Sequence, residues 1–288
     1  MFGMDSPLQR SANTRAVTLS ILTIVYNDLD GLMKTAQSVL VQEGFTPEWI
    51  VIDGGSTDGT AAAIASYSEA ISYWHSRPDR GVYHAMNLAL EHAKGDYVLF
   101  LNAGDALADR RVLADVANLL AISQPDLFFG AALLRFPSGL AMRHEPRDPD
   151  YIEHSLVANH QATFVKREWH ERYPHDESFK ISSDYLTTAR MLSSQATSEK
   201  NVRLIAIRDS NSASVGASGG WRHYAECIRV QRGVLGKGWL TIGHSAMRRF
   251  IAKRCFHLIA GAKSPAAIRV VRCLFGNRLV SEVGQTIA

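Results

Sequence analysis

The carboxylate of Asp105 sits where a short apolar run breaks into a turn, Tyr97-Val98-Leu99-Phe100-Leu101-Asn102-Ala103-Gly104-Asp105. A run of that length reads as a buried strand. The crevice beyond the carboxyl end of such a strand is where open α/β sheets bind ligands. Asp105 is therefore placed to hold a divalent cation against the diphosphate of a nucleotide. The alternative is a turn aspartate that caps the next segment, the commoner use of a single Asp. Three more acids stand in comparable settings. Asp53 opens Asp53-Gly54-Gly55-Ser56-Thr57-Asp58-Gly59-Thr60 after an apolar run, Asp79 lies in the turn 76–81, and Asp184 follows Ser182-Ser183 at the start of a helical pattern.

The elements that must position these residues alternate. Residues 17–25 are β-branched and apolar and predict a buried first strand ending at Tyr26-Asn27-Asp28. Asp28 or Asp30 can cap the helix that follows, whose Leu32, Met33, Ala36, Val39 and Leu40 share a face and which Gly44 stops. Residues 49–52 predict a second strand, 61–67 an Ala-rich helix, 71–75 a third strand and 82–93 a helix ended by Gly95. Strands alternating with helices imply a parallel sheet with right-handed crossovers. Near-continuous apolar strands imply that both faces are covered. Tyr26, Asp53, the Asp79 turn and Asp105 then converge on one edge of one sheet. Later strands are expected over 127–134, within 159–166 and over 202–207, with a helix capped by Ser182 or Ser183 running to about residue 192. The Ser/Gly/Asn loop 210–220 is long enough to act as a lid.

Composition narrows the possibilities. A chain of 288 residues holds one large α/β domain, or one with an appendage, and its 46% hydrophobic content is ordinary for a globular protein. No apolar run is long enough to span a bilayer. Residues 1–15 are polar and lack a signal core, so secretion is not expected. Cys227, Cys255 and Cys273 form no metal-binding spacing and suggest reduced thiols in the cytoplasm. The 11 histidines show no ligand spacing either, and no Gly-Lys-Ser/Thr follows any Gly-rich segment, which excludes a P-loop. The net charge of +3 hides an asymmetry: residues 1–226 have 20 basic and 27 acidic side chains, residues 227–288 have 11 and 1.

Taken together, residues 20–27, 50–60, 79–87, 95–105 and 179–190 resemble the family 2 glycosyltransferases, in that family's order and approximate spacing. Pro78-Asp79-Arg80-Gly81-Val82-Tyr83-His84-Ala85-Met86-Asn87 looks like the subgroup that builds exopolysaccharides, capsules and glycolipids, which usually has Asp at the place of His84. The resemblance implies a GT-A fold: α/β, with a Rossmann-like, mostly parallel central sheet flanked by helices. It implies a nucleotide-diphosphate sugar donor (UDP, GDP or dTDP) bound by Thr23, Tyr26, Asp53, Asp79, Arg80 and Asn102. Tyr26 would stack on the base, Asp53 would accept from its imide N–H, and Arg80 would offset phosphate charge. Asp105 would bind Mg²⁺ or Mn²⁺, which stabilises a leaving diphosphate without proton transfer. Asn102 and Gly104 stand where the family often has further acids, leaving Asp105 as the remaining carboxylate.

The acceptor hydroxyl needs a general base. The resemblance assigns it to Asp184, which a first-turn helical position would keep ionised through the helix dipole. His160 and Gln161 match an acceptor-side pair. The implied reaction is a single inverting displacement onto a saccharide or lipid-linked acceptor.

Residues 246–260 and 268–279 set Met247, Phe250, Ile251, Val271 and Phe275 against Arg248, Arg249, Lys253, Arg269 and Arg272. Basic amphipathic helices of this kind lie on anionic membranes. No aromatic stacking pattern accompanies the charge, so nucleic-acid binding is not expected. The expected organisation is a flexible leader 1–16, a catalytic domain 17–225 (nucleotide-sugar half 17–108, acceptor half 109–225) and a basic helical region 226–288. It would sit in the cytoplasm, peripheral on the inner face of the cell membrane. Two other readings compete. A sugar nucleotidyltransferase would need a basic Gly-rich loop after the first strand, which Tyr26-Asn27-Asp28-Leu29-Asp30 does not provide. A non-catalytic assembly subunit is favoured only by the absence of acids at 102 and 104.

Overall fold

A computed structural model of the chain describes residues 16–137, 139–209, 221–238 and 279–281. Residues 1–15, the loop 210–220 and both basic amphipathic segments lie outside the described residues, except Leu279, which falls in a strand rather than at a helix end.

The first half winds as its sequence implies. Strands β1 (Leu19–Val25), β2 (Glu48–Asp53), β3 (Tyr73–Ser76) and β4 (Tyr97–Phe100) are all parallel, in the order β4-β1-β2-β3. Helices α1 (Leu29–Leu40), α2 (Thr60–Ser66) and α3 (Val82–His92) make the crossovers. The second half adds β5 (Ala106–Leu107), α4 (Val112–Ser123), β6 (Leu127–Arg135), β7 (Leu140–His144), β8 (Thr163–Lys166), α5 (Arg167–Arg172), α6 (Ser183–Ser193), β9 (Ser198–Asp209), α7 (Trp221–Gly233) and β10 (Leu279–Ser281). The described strands form one mixed sheet, ordered β10-β7-β6-β8-β4-β1-β2-β3, with β9 paired to β5 and β6. Its sense changes at the seam where β8 lies antiparallel to β4.

Side-chain alternation divides the core between the two faces. Leu19, Ile21, Trp49, Val51, Tyr97 and Leu99 pack with α1 and α4 residues; Leu22, Ile24, Ile50, Ile52, Val98 and Phe100 pack with α3 and α6 residues. Both faces being covered is why these strands read as unbroken apolar runs. In α1, Leu32, Ala36 and Val39 face the sheet, while Met33 and Leu40 remain exposed, so its apolar stripe is narrower than the spacing suggests. Asp28 caps α1 by accepting from Gly31 N at 3.0 Å.

Several elements differ from expectation: β5, β7, α5 and β10 were not signalled, and two helices differ more instructively. Helix α4 was not signalled, because Arg111 at its N-cap makes no side-chain cap and Val112, Leu113, Val116, Ala117 and Leu120 bury more than one stripe. Helix α7 spans the boundary expected between 225 and 226, so that boundary falls inside a helix packed on α6. Among the described residues no helix is long and apolar enough to cross a membrane.

Candidate active site

The carboxyl ends of β1, β2 and β3 are laced by side chains. Asn27, at φ 47°, donates its N–H to Ser56 Oγ at 2.7 Å, and its Oδ1 accepts from Thr57 N at 2.8 Å. Asp53 is fully buried beneath this turn. Its carboxylate accepts from Ser56 N at 3.1 Å, from Ser56 Oγ and from Ser76 Oγ, so it ties β2 to β3 from below the surface. Tyr26 is 65% exposed at the end of β1. A Cβ added to Gly54 would lie 2.8 Å from Asp79 Oδ2 and 3.2 Å from the Tyr26 ring. Tyr26, Gly54 and Asp79 thus lie together, with the Asp79 carboxylate and the Tyr26 ring drawn into the small recess that a side chain at position 54 would fill. Asp79 Oδ1 accepts from Gly81 N at 2.6 Å, which leaves Oδ2 toward the recess.

Two residues expected on the donor side make contacts within the protein. Thr23 is fully buried: its hydroxyl donates to Leu101 O at 2.9 Å and accepts from Trp49 Nε1 at 3.0 Å. It is a buried residue that fixes β1 to the start of the Asp105 turn. Arg80 pairs in bidentate fashion with Glu177, at 2.9 and 3.0 Å, and so bridges the Asp79 turn to the loop before α6.

The turn after β4 is held from within. Asp105 N donates to Asn102 O at 3.0 Å, and Thr35 Oγ1 donates to Asp105 O at 2.6 Å. Lys34 Nζ donates to Gly104 O and to Asp209 Oδ2, both at 2.6 Å, and Arg135 pairs with the same aspartate. Asp105 is 6% exposed. Burial pushes its carboxyl above the usual range, opposed by the charges of Arg208, His160 and Lys34 and by the neighbouring Gln161 amide. Among the described residues no three His, Cys, Asp or Glu side chains gather for a metal. The donors at this turn are one carboxylate and Asn102 Oδ1, which is buried without a hydrogen-bond partner. Hard oxygen donors of that kind fit Mg²⁺ or Mn²⁺ provided phosphate oxygens complete the coordination.

Asp184 lies in the first turn of α6, as the sequence suggests. Its Oδ1 accepts from Tyr185 N at 2.8 Å, and Oδ2 stands 3.4 Å from His160 Nδ1. Burial alone would raise its pKa. The hydrogen bond and charge of His160 and the Tyr185 N–H outweigh burial and hold the carboxyl below its usual range. His160 and Gln161 form the short 3-10 turn (His160–Ala162) that leads into β8, next to β4. The turn therefore links the two carboxylates: His160 touches Asp184, and Gln161 lies against Asp105.

Tyr83 and Asn87 stand within the motif 78–87 with no sequence signal of their own. Tyr83 OH accepts from Ser183 N at 3.0 Å, and the Asn87 amide pairs with both the N–H and C=O of His175 at 2.9 Å. The motif on α3 thus braces the segment that leads to Asp184. Behind it, His170 and His175 are buried against Phe100 and Tyr83, and desolvation pushes them down to about 3 and about 4, so both are neutral.

An open α/β sheet whose first strand ends gather Tyr26, Gly54, Asp79 and a single-carboxylate turn, with an ionised aspartate brought beside that turn by α6, has the layout of a class of fold that binds ligands at its strand ends. The chain belongs to glycosyl transferase family 2, whose model matches residues 20–185. An uncharacterised glycosyltransferase of Mycobacterium tuberculosis is 35% identical over 52% of this chain; the chain spans 59% of that protein's length. Solved structures share the fold. A mannosyltransferase from Pyrobaculum calidifontis, in complex with GDP-Man and Mn²⁺, superposes with a TM-score of 0.62 at 17% identity, covering 91% of this chain and 80% of that one. Residues 1–349 of Staphylococcus aureus TarS, in complex with UDP-GlcNAc, give 0.61 at 17% identity, covering 81% and 71%.

Proposed function

We propose that the chain transfers a sugar from a nucleoside-diphosphate sugar to a hydroxyl of a saccharide or lipid-linked acceptor, by a single displacement with inversion. The observation that carries this reading is Asp184, ionised in the first turn of α6 and joined through His160-Gln161 to the Asp105 turn. The base of the nucleotide stacks on exposed Tyr26, over the bare Cα of Gly54, and Asp79 Oδ2 accepts from the nucleoside. Asp105 and Asn102 would hold a divalent ion, which when bound would supply positive charge beside the departing diphosphate. Asp184 takes the proton of the acceptor hydroxyl, since each of its oxygens has one recorded partner and can accept again. His160 keeps the carboxylate ionised and aimed. Inversion follows from one base acting without an enzyme nucleophile.

The donor is a UDP, GDP or dTDP sugar. A thermal-shift screen of these three classes, with and without Mn²⁺, tests the reading. A shift from one nucleotide class that grows with Mn²⁺ is expected; no shift with any of them overturns it. The basic residues after 238 suit the anionic inner face of a cell membrane, where lipid-linked acceptors lie. Deleting residues 243–288 should release the protein from phosphatidylserine vesicles while nucleotide binding persists. Retention on vesicles would refute the membrane role.

A further inference from the structure

The segment that delivers Asp184 is not self-supporting. Ser182, the N-cap residue of α6, makes no side-chain cap to its own helix. Its hydroxyl instead lies 3.0 Å from His223 Nδ1 on α7. The three preceding backbone donors, Lys180 N, Ile181 N and Ser182 N, all point to one carboxylate, that of Glu226 in α7, each at 2.9 Å. One turn further along α7, Arg229 lies over the ring of buried Phe179, 4.4 Å from its centroid. Helix α7 therefore grips residues 179–182 through three side chains, His223, Glu226 and Arg229, shortly before the aspartate. It lies wholly beyond the residues that match the family model.

We propose that Glu226 is a positioning residue for Asp184, acting from another helix as a cap on the N–H of Ser182, the N-cap residue of α6, and as an anchor for the two N–H groups before it. This inference rests on the reading of Asp184 as the base. A carboxylate that accepts three backbone N–H groups makes charge-assisted bonds, the strongest kind available to a cap. It also neutralises the positive start of α6. With the main chain fixed at 180–182, and Tyr83 OH accepting from Ser183 N, the Asp184 Cα has little freedom. The 3.4 Å contact to His160 depends on that restraint, because His160 comes from a different part of the sheet. Glu226 does not touch Asp184. Its charge also acts on Tyr83, whose hydroxyl is raised by burial first, then by Asp184 and Glu226, so the three side chains form one neighbourhood.

The test compares Glu226→Gln, Glu226→Asp and Asp184→Asn in the full chain. Two quantities are read: turnover, as release of nucleoside diphosphate from the preferred nucleotide sugar with Mn²⁺, water serving as acceptor, and the Kd for the same nucleoside diphosphate with Mn²⁺. Glu226→Gln keeps the size but offers one acceptor oxygen to three donors. Displacing a catalytic group by an ångström costs roughly 100-fold in rate. We expect kcat to fall roughly 10- to 100-fold in Glu226→Gln, with Kd within about twofold of the parent, and Glu226→Asp to recover part of the loss. A wild-type kcat in Glu226→Gln beside an inactive Asp184→Asn overturns the positioning role alone. Equal losses in kcat and nucleotide affinity also overturn it, because they mark a general loss of fold. An active Asp184→Asn removes the base, and the positioning role with it.

Discussion

Replacing Asp53 by alanine separates two roles for that residue. As the sequence suggests, it would accept a hydrogen bond from the base of the nucleotide; as the structure places it, it lies fully buried below the recess. Truncation removes acceptors from Ser56 N, Ser56 Oγ and Ser76 Oγ at once. Hydrogen bonds to a charged group contribute about 1.5–3 kcal/mol each, so the three sum to about 4–9 kcal/mol. The serine hydroxyls can rotate to other acceptors, while the Ser56 N–H cannot, which brings the expected loss to about 3–5 kcal/mol. For a domain of this size each kcal/mol moves Tm by about 2–4 °C, giving a drop of roughly 10 °C. The assay is thermal unfolding of Asp53→Ala with and without nucleoside diphosphate and Mn²⁺. A parental Tm together with lost nucleotide binding would refute the buried-tie argument and restore Asp53 to direct contact with the base.

Gly54→Ala should weaken nucleotide binding severalfold and leave Tm unchanged, since the new methyl intrudes on Asp79 Oδ2 and the Tyr26 ring; isothermal titration with UDP and GDP reads the first and calorimetric melting the second. Asp105→Asn should raise the Tm of the nucleotide-free protein at neutral pH. A carboxyl whose folded pKa is raised by burial contributes stability in acid that is lost as pH rises, so removing the charge relieves that cost, while Mn²⁺-dependent nucleotide binding weakens. Asp184 has the opposite sign: its depressed pKa contributes stability above the unfolded value of 3.8 that is lost as pH falls through the folded one. Turnover should therefore stay flat through neutral pH and fall only in acid, and His160→Ala should move that acidic limb upward in a pH–rate profile. Asp184→Asn should abolish turnover and spare nucleotide affinity; equal loss of both would make Asp184 structural.

The nucleotide half was legible because its physics is local. Each strand is an apolar run, each helix has a start or stop residue such as Asp28 or Gly44, and parallel winding sends every strand end to one edge. Asp184 was legible for the same reason, as an acid in a helix first turn. What sequence could not show is direction and depth. Thr23 and Asp53 lie in the expected stretches but turn into the protein. Arg80 is at the expected turn, yet its charge is matched by Glu177, 97 positions away. Glu226 had no signal at all, because a cap donated from another helix has no fixed sequence spacing. Helix α4 hid because burial on more than one side erases the periodicity by which helices are read.

Strand β4 has parallel β1 on one side and antiparallel β8 on the other, with Tyr97 opposite Lys166 and Val98 opposite Val165. Its second partner therefore leaves the ribosome well after the first half can close on itself. Until then every nascent chain presents Tyr-Val-Leu-Phe as an unpaired edge, a template for a neighbouring chain. Substitutions that delay folding of β6 and β8 should accordingly reduce the yield of soluble protein, through association of incomplete chains, before they alter the chemistry of those that finish.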